Sequence, residues 1–296
     1  MTEAATSRPS ALPNHTNTGI SSTASSASKP AKLGNSAARA PCASSMRMTI
    51  HKITATDAPA NTPIGAAHWP KSPSLKPMLG THTVVVPLQN GVEATSHLMA
   101  ALGSKPVIGG LCRIVASVTS PGRITHAGIE PTVIVGELDG STSERVGLLR
   151  DLLSEAGVAV EVADDIQAAL WEKFLLIAPW GGLGGLTRVT LDVLCGTPET
   201  RRLLAQSMGE VAAVAAAHGV RLVPDIVDRT MRFLAQVPAG GTASMQRDIM
   251  ERRPSELEAQ VGAIVRLGRD KSVDTPINTL VYECLLAGER IARGEA

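Results

Sequence analysis

From Thr83 to Leu88 the chain reads Thr-Val-Val-Val-Pro-Leu, apolar with no polar alternation. A run of that kind predicts a strand covered on both faces, as in a parallel sheet. Gln89-Asn90-Gly91 closes it with two amides and a turn residue, and Val92–Leu102 resumes with helical periodicity as far as Gly103. Strand, tight polar turn and helix make half of a βαβ unit. Ligands of open α/β sheets sit beyond the carboxyl ends of the strands, which places Asn90 at a ligand edge. Its amide offers both donors and an acceptor, suited to a carboxamide, a ribose or a substrate hydroxyl. An Asn-Gly turn without any ligand fits the same pattern equally well.

Downstream, Val107–Val118 predicts one strand, and Arg123–His126 and Pro131–Leu138 two shorter ones in an antiparallel meander. His126 falls between short strands and reads as a surface histidine. Ser141–Ala156 is an amphipathic helix, and Val158–Val162 is the last strand. Asp164 and Asp165 open a helix over Ile166–Ile177, acidic at its positive end. From Thr187 onward the pattern is helical: Thr200–His218, Asp225–Val237, Thr242–Arg252, Glu256–Leu267 and Ile277–Arg293. Ser255 and Glu258 have the spacing of a capping box. Gly181-Gly182-Leu183-Gly184-Gly185 follows no strand, so it predicts close helix packing or backbone approach to a ligand rather than a phosphate cradle.

Lys173 interrupts an apolar stripe, with Ala169, Leu170, Leu176 and Ile177 one turn away on either side. Such a lysine either reaches back to water along its stem or sits desolvated, where it loses proton affinity and becomes a usable acid or base. The two alternatives weigh equally on this pattern alone.

Composition narrows the function classes. Hydrophobic residues make up 44% of 296, enough for a sizeable core. A formal net charge of +1 leaves no footprint for nucleic acid and no polybasic membrane patch. No apolar run reaches spanning length, and the start has no secretory core, so a cytoplasmic protein is expected. Cys42, Cys112, Cys195 and Cys284 are too scattered for a zinc site or a disulfide framework, and no metal is expected. Met1–Met46, rich in Ser, Ala, Thr, Asn and Pro, predicts disorder, with one short strand after it at Arg47–Thr54.

Four stretches carry a resemblance: Pro87-Leu88-Gln89-Asn90-Gly91; Leu170-Trp171-Glu172-Lys173-Phe174; Ser244-Met245-Gln246-Arg247-Asp248 with Arg253-Pro254-Ser255-Glu256-Leu257-Glu258; and Thr275-Pro276-Ile277-Asn278. In order and spacing the chain resembles ketopantoate reductases (2-dehydropantoate 2-reductases) from about Met78 to Arg293. The resemblance implies an α/β fold: a partial Rossmann-like N-terminal domain followed by an all-helical C-terminal domain. The expected divisions are 1–80, disordered or outside the family; 81–163, the remainder of a dinucleotide-binding domain; and 164–296, the helical catalytic domain. It implies NADPH-dependent reduction of 2-dehydropantoate to pantoate, a step of pantothenate biosynthesis, acting on a small 2-keto acid, with a homodimer as the expected assembly. By the same resemblance Lys173 is the proton donor, Asn90 and Glu256 face the cofactor, and Ser244, Asn90 and Asp248 face the substrate.

Two departures qualify these roles. Ile177 and Gly181 stand where the best-known branch carries substrate-holding asparagines, which favours a related dehydrogenase acting on another 2-keto or hydroxy acid. No strand followed by GxGxxG precedes Thr83, and Lys71 does not lie in a strand pattern. The glycine turn normally cradles the pyrophosphate, so the alternative expectation is a truncated, inactive relative or an interaction module without cofactor binding. A reading-frame shift upstream of about Leu75 would account for the break.

Overall fold

The computed structural model describes residues 75–77, 79–126, 128 and 130–295. The expectations for Met1–Met46 and Arg47–Thr54 lie outside the described residues. Strands β1 (Gly109–Arg113), β4 (Thr132–Gly136) and β5 (Ala159–Val162) form one sheet in the order β1-β4-β5. β1 pairs antiparallel with β4, and β4 parallel with β5. Strands β2 (Ala116–Ser120) and β3 (Arg123–His126) form a separate hairpin. The single strand expected over Val107–Val118 is therefore two, split at Ile114-Val115, because its halves pair with different partners.

The opening run Thr83–Leu88 is a correction. Only Val85 joins the sheet, through a parallel bridge to Val107. Its N–H donates to Pro106 O at 2.7 Å and its carbonyl accepts from Ile108 at 3.1 Å. Pro87, which has no N–H, cannot extend the ladder. Val84–Val86 are half-buried rather than covered on both faces, and Leu88 is 40% exposed.

Helix α1 (Ala94–Leu102) ends at Gly103, and α2 (Glu144–Glu155) starts on a Ser143 cap, both close to expectation. Ile108, Val133 and Val135 of the sheet pack with Val146 and Leu149 of α2 into a small core.

The larger core is organised on α3 (Ile166–Thr187), 22 residues capped by Asp165. It runs ten residues past the expected stop at Ile177, through Pro179 and the glycines, to Arg188 in the left-handed conformation. Around it stand α4 (Leu191–Gly196), α5 (Pro198–Ala217), α6 (Ile226–Leu234), α7 (Ser244–Met250), a π-helical turn (Glu258–Gly262), α8 (Ala263–Asp270) and α9 (Pro276–Ala292). Phe174, Leu175 and Ala178 of α3 share one cluster with Leu204 and Met208 of α5, Met245 of α7, Val261 of the π turn and Val281 of α9.

The glycines of α3 exist for contact. A Cβ on Gly181 would lie 2.8 Å from Met245 Cε, and one on Gly185 2.8 Å from Ile249 Cδ1. One on Gly184 would lie 2.5 Å from Gln246 Oε1. Without side chains at these positions, α7 lies directly on α3, as the glycine run predicts.

The capping box expected at Ser255 and Glu258 does not form. Glu289 of α9 takes the Ser255 N–H at 2.9 Å and its Oγ at 2.6 Å, and Arg293 donates to the Ser255 carbonyl at 2.7 Å. Glu258 turns away to Arg266 and Tyr282. A tertiary carboxylate has replaced the local one. The Thr-Pro-Ile-Asn motif is structural in the same way: Glu210 of α5 accepts from the backbone N–H of Ile277 (2.9 Å) and Asn278 (3.0 Å), capping α9 from outside.

Gly184→Ala is expected to cost about 1–3 kcal/mol of unfolding free energy, the range for overfilling a packed core. Gln246 is fully buried and its amide donates to Val189 O at 2.8 Å, so it cannot yield freely. Gly147→Ala in α2, where an added Cβ meets nothing within 4 Å, is expected to be neutral or stabilising. Urea unfolding of both variants checks this; equal stability of the two would refute the role given to the α3–α7 contact.

Candidate active site

Two chain segments 166 residues apart meet at one carboxylate. Asn90 follows the extended Val85 segment, and Glu256 opens the turn into the π helix. Asn90 Nδ2 donates to Glu256 Oε2 at 2.9 Å, and Gln260 Nε2 donates to the same oxygen at 2.8 Å. Glu256 Oε1 has no hydrogen-bond partner among the described residues. Gly91 makes the approach feasible: its φ is +97°, and a Cβ there would lie 2.9 Å from the Ala259 carbonyl oxygen. The backbone behind Glu256 is fixed by the Ser255–Glu289–Arg293 clamp, and the π turn by Gly262 N–H donating to Leu257 O at 2.9 Å. Single π-helical turns are frequent at functional sites.

Lys173 belongs to the same group. Its Nζ donates to the carbonyl of Cys112, at the end of β1, at 2.7 Å. Burial pushes its pKa below the ordinary lysine value; the Cys112 and Glu256 charges oppose this, and Arg113 adds to it. The Cys112 thiol is itself pushed up by burial, so it is neutral near pH 7 and leaves Glu256 as the effective counter-charge there. The Cys112 hydrogen bond and the partial burial of Lys173 favour the desolvated one of its two alternatives.

Ser244 and Asp248 lie on α7. Ser244 begins α7, is exposed, and has no side-chain hydrogen bond among the described residues. Met245 next to it covers Gly181, two turns beyond Lys173, about 12 Å along α3. Asp248 is held by Arg253, whose Nε is at 3.1 Å. The structure therefore pairs Asn90 with Glu256, sets Lys173 where the Glu256 charge acts on it, and places Ser244 and Asp248 on α7.

Three contributors are absent from the sequence-based set. Gln260 stands four residues after Glu256, a helical neighbour spacing that could have identified it. The Cys112 carbonyl is backbone and leaves no sequence signal. Glu93 ties the start of α1 to Arg266 at 2.7 Å, and Arg266 in turn holds Glu258, a long-range tie no local pattern encodes.

The fit to a nicotinamide dinucleotide divides by end. Asn90, the open Glu256 oxygen, the Lys173 ammonium and the buried, unpartnered Gln89 Oε1 suit a carboxamide and a ribose. Among the described residues no GxGxxG run stands between a strand and a helix, the arrangement that cradles a pyrophosphate. Among the described residues no group of His, Cys, Asp and Glu could hold a metal ion, and no helix is long and apolar enough to cross a membrane.

Comparison with known proteins adds to this geometry. The family described as "Ketopantoate reductase PanE/ApbA C terminal" matches residues 165–289, and "Ketopantoate reductase PanE/ApbA" matches residues 70–140. A 2-dehydropantoate 2-reductase of Mesorhizobium japonicum is 32% identical over 231 residues, covering 71% of this chain and 69% of that protein. The crystal structure of 2-dehydropantoate 2-reductase from Methylococcus capsulatus superposes with a TM-score of 0.66 at 29% identity, over 75% of this chain and 70% of that one. A complex of D-mandelate dehydrogenase with NADH, 23% identical over 75% of each chain, shares the fold with a TM-score of 0.68.

The depressed Lys173 pKa has a thermodynamic consequence. Between its folded value and the ordinary 10.5, the unfolded chain binds the proton more tightly, so this group's contribution to stability rises with pH across that window. Relative to the parent, Lys173→Met is therefore expected to be at its most stable near pH 7 and to lose ground as pH rises towards 10.5. Urea midpoints of both chains across that range check it; a variant that gains ground with rising pH would exclude a depressed pKa.

Proposed function

Because the chain belongs to the ketopantoate reductase family, we propose that it is a nicotinamide-dependent 2-keto acid reductase, with reduction of ketopantoate to pantoate as its reference reaction and Lys173 as the proton donor. The observation that carries this reading is the desolvated Lys173 ammonium, aimed by the Cys112 carbonyl and standing beside the Asn90–Glu256 pair. A bound NADPH would supply the hydride.

The chain's own residues do the rest. One Nζ–H of Lys173 is spent on Cys112, which leaves the others for a substrate oxygen. As the keto oxygen becomes an alkoxide, the ammonium stabilises the growing charge and gives up a proton to it. The neutral amine that remains suits a buried site, and burial has already made the proton easier to release. Glu256, locked through Oε2 by two amides, keeps Oε1 for a hydroxyl or amide of a ligand. Ser244 is placed to donate to the substrate carboxylate, with Asp248 and Arg253 steadying that turn. On this reading residues 81–163 face the cofactor, residues 164–296 supply the catalytic wall, and the active species is a cytoplasmic homodimer.

A second reading has one observation in its favour: no strand followed by GxGxxG precedes Thr83 in the sequence. It is that of an inactive relative that does not bind the cofactor. A titration of the full chain with NADPH, followed by nicotinamide fluorescence and repeated with NADH, separates the two. Saturable micromolar binding with a preference for NADPH is expected. With ketopantoate as substrate, Lys173→Ala is expected to lower kcat by about 10²–10⁴-fold while leaving cofactor affinity within a few-fold. No binding up to millimolar cofactor would establish the inactive reading instead.

A further inference from the structure

Helix α9 has an inner face and an outer one. Asn278, Val281, Leu285 and Glu289 recur at helical spacing and are buried. On the outer side Leu280, Cys284, Ala287 and Ile291 are all exposed. At 3.6 residues per turn these four fall within about 60° of one another, along about 17 Å of helix. Leu280 is 60% and Ile291 65% exposed, more than any other large apolar side chain described in the helical half. A single exposed leucine is ordinary surface. Apolar positions at spacings of four, three and four are instead the seam by which one helix lies on another. The seam is large at its ends and small in its middle, where Cys284, Ala287 and the exposed Gly288 let a second helix axis come within about 8 Å. One flank is charged: Glu283 and Arg290 are both exposed, on the same side, and neither is in an ion pair among the described residues.

This pattern complements itself when reversed. With a second copy of α9 laid end for end, Leu280 meets Ile291, Cys284 meets Ala287 and Glu283 meets Arg290, each contact occurring twice about a twofold axis. A copy laid in the same direction would set Glu283 against Gly288 and leave its charge unmatched. We propose that the outer face of α9 is the interface with a second copy of this chain, an antiparallel α9–α9 pair that closes a twofold dimer. This deepens the homodimer of the reductase reading and rests on that reading only for its part in the active species, since assembly is measured without turnover. The inner side of the same helix carries Glu289, whose carboxylate holds Ser255 beside Glu256. One helix thus joins the interface to the clamp behind the candidate site.

Light scattering on the full chain over a concentration series tests this. A helix pair of this length is a small interface, so a reversible dimer with a Kd on the order of micromolar is expected. Glu283→Arg sets like charges together twice and is expected to raise that Kd by at least about tenfold. Adding Arg290→Glu to Glu283→Arg restores opposite charges and is expected to return Kd to near the parent value, which a merely misfolded variant would not do. A short bismaleimide is expected to crosslink the parent into dimers through Cys284, and Cys284→Ser to abolish that product. A parent that stays monomeric up to about 100 µM overturns the proposal. So does a dimer indifferent to both Glu283→Arg and Leu280→Lys, which places the interface on another face. A double variant no tighter than Glu283→Arg alone overturns the antiparallel pairing. None of these outcomes bears on reduction of a keto acid, which NADPH consumption reads separately.

Discussion

The candidate site depends on holding one ammonium group in a partly buried place against a carbonyl. α3 is surrounded along most of its length, and its lysine emerges where β1 ends, so the group that holds Lys173 is a strand-terminal carbonyl. A carbonyl accepts a hydrogen bond but carries no full charge. It orients the ammonium without restoring the stability that burial removes. A carboxylate in direct contact would have raised the proton affinity and made the lysine a poor acid. Here the carboxylate, Glu256, is near enough to act on Lys173 through its charge but is itself engaged by Asn90 and Gln260. The amides are what hold the two charges apart.

That arrangement explains why α7 and the π turn are packed as they are. Glu256 can meet Asn90 only if the backbone before and after it is fixed to within a fraction of an ångström, since neither side chain has length to spare. Glu289 and Arg293 fix it from behind, and the π turn fixes it ahead. Gly91 lets the Asn90 turn rest on the Ala259 carbonyl. The glycine face of α3 lets α7 pack directly on it through Met245, Gln246 and Ile249.

Much of this was legible in the sequence, and the limits follow from range. Lys173 stood out because helical periodicity made its neighbours apolar, and periodicity is a local property. The glycine run announced close packing, though not its partner. Local rules failed where a distant group intervened. Ser255 and Glu258 have the spacing of a capping box, but Glu289, 34 residues away, occupies the donor that Glu258 would have taken. Thr83–Leu88 has the composition of a covered strand, but Pro87 supplies no ladder bond. Gln260 was within reach of the i,i+4 rule, while the Cys112 carbonyl belonged to no side-chain pattern at all.

The two ends of the proposed cofactor site stand on different footings, and that difference bears on how such a protein binds its ligands. The nicotinamide end is built from side chains that already hold one another: Asn90 on Glu256, Gln260 on Glu256, Lys173 on Cys112. Such a network is preorganised, and little ordering entropy remains to be lost when a ligand arrives. Asn90 is committed to Glu256 through one donor and keeps the rest of its amide for a second partner, so a carboxamide or ribose can join without breaking the pair. A ligand at this end would therefore add contacts to a hydrogen-bond set that is already closed.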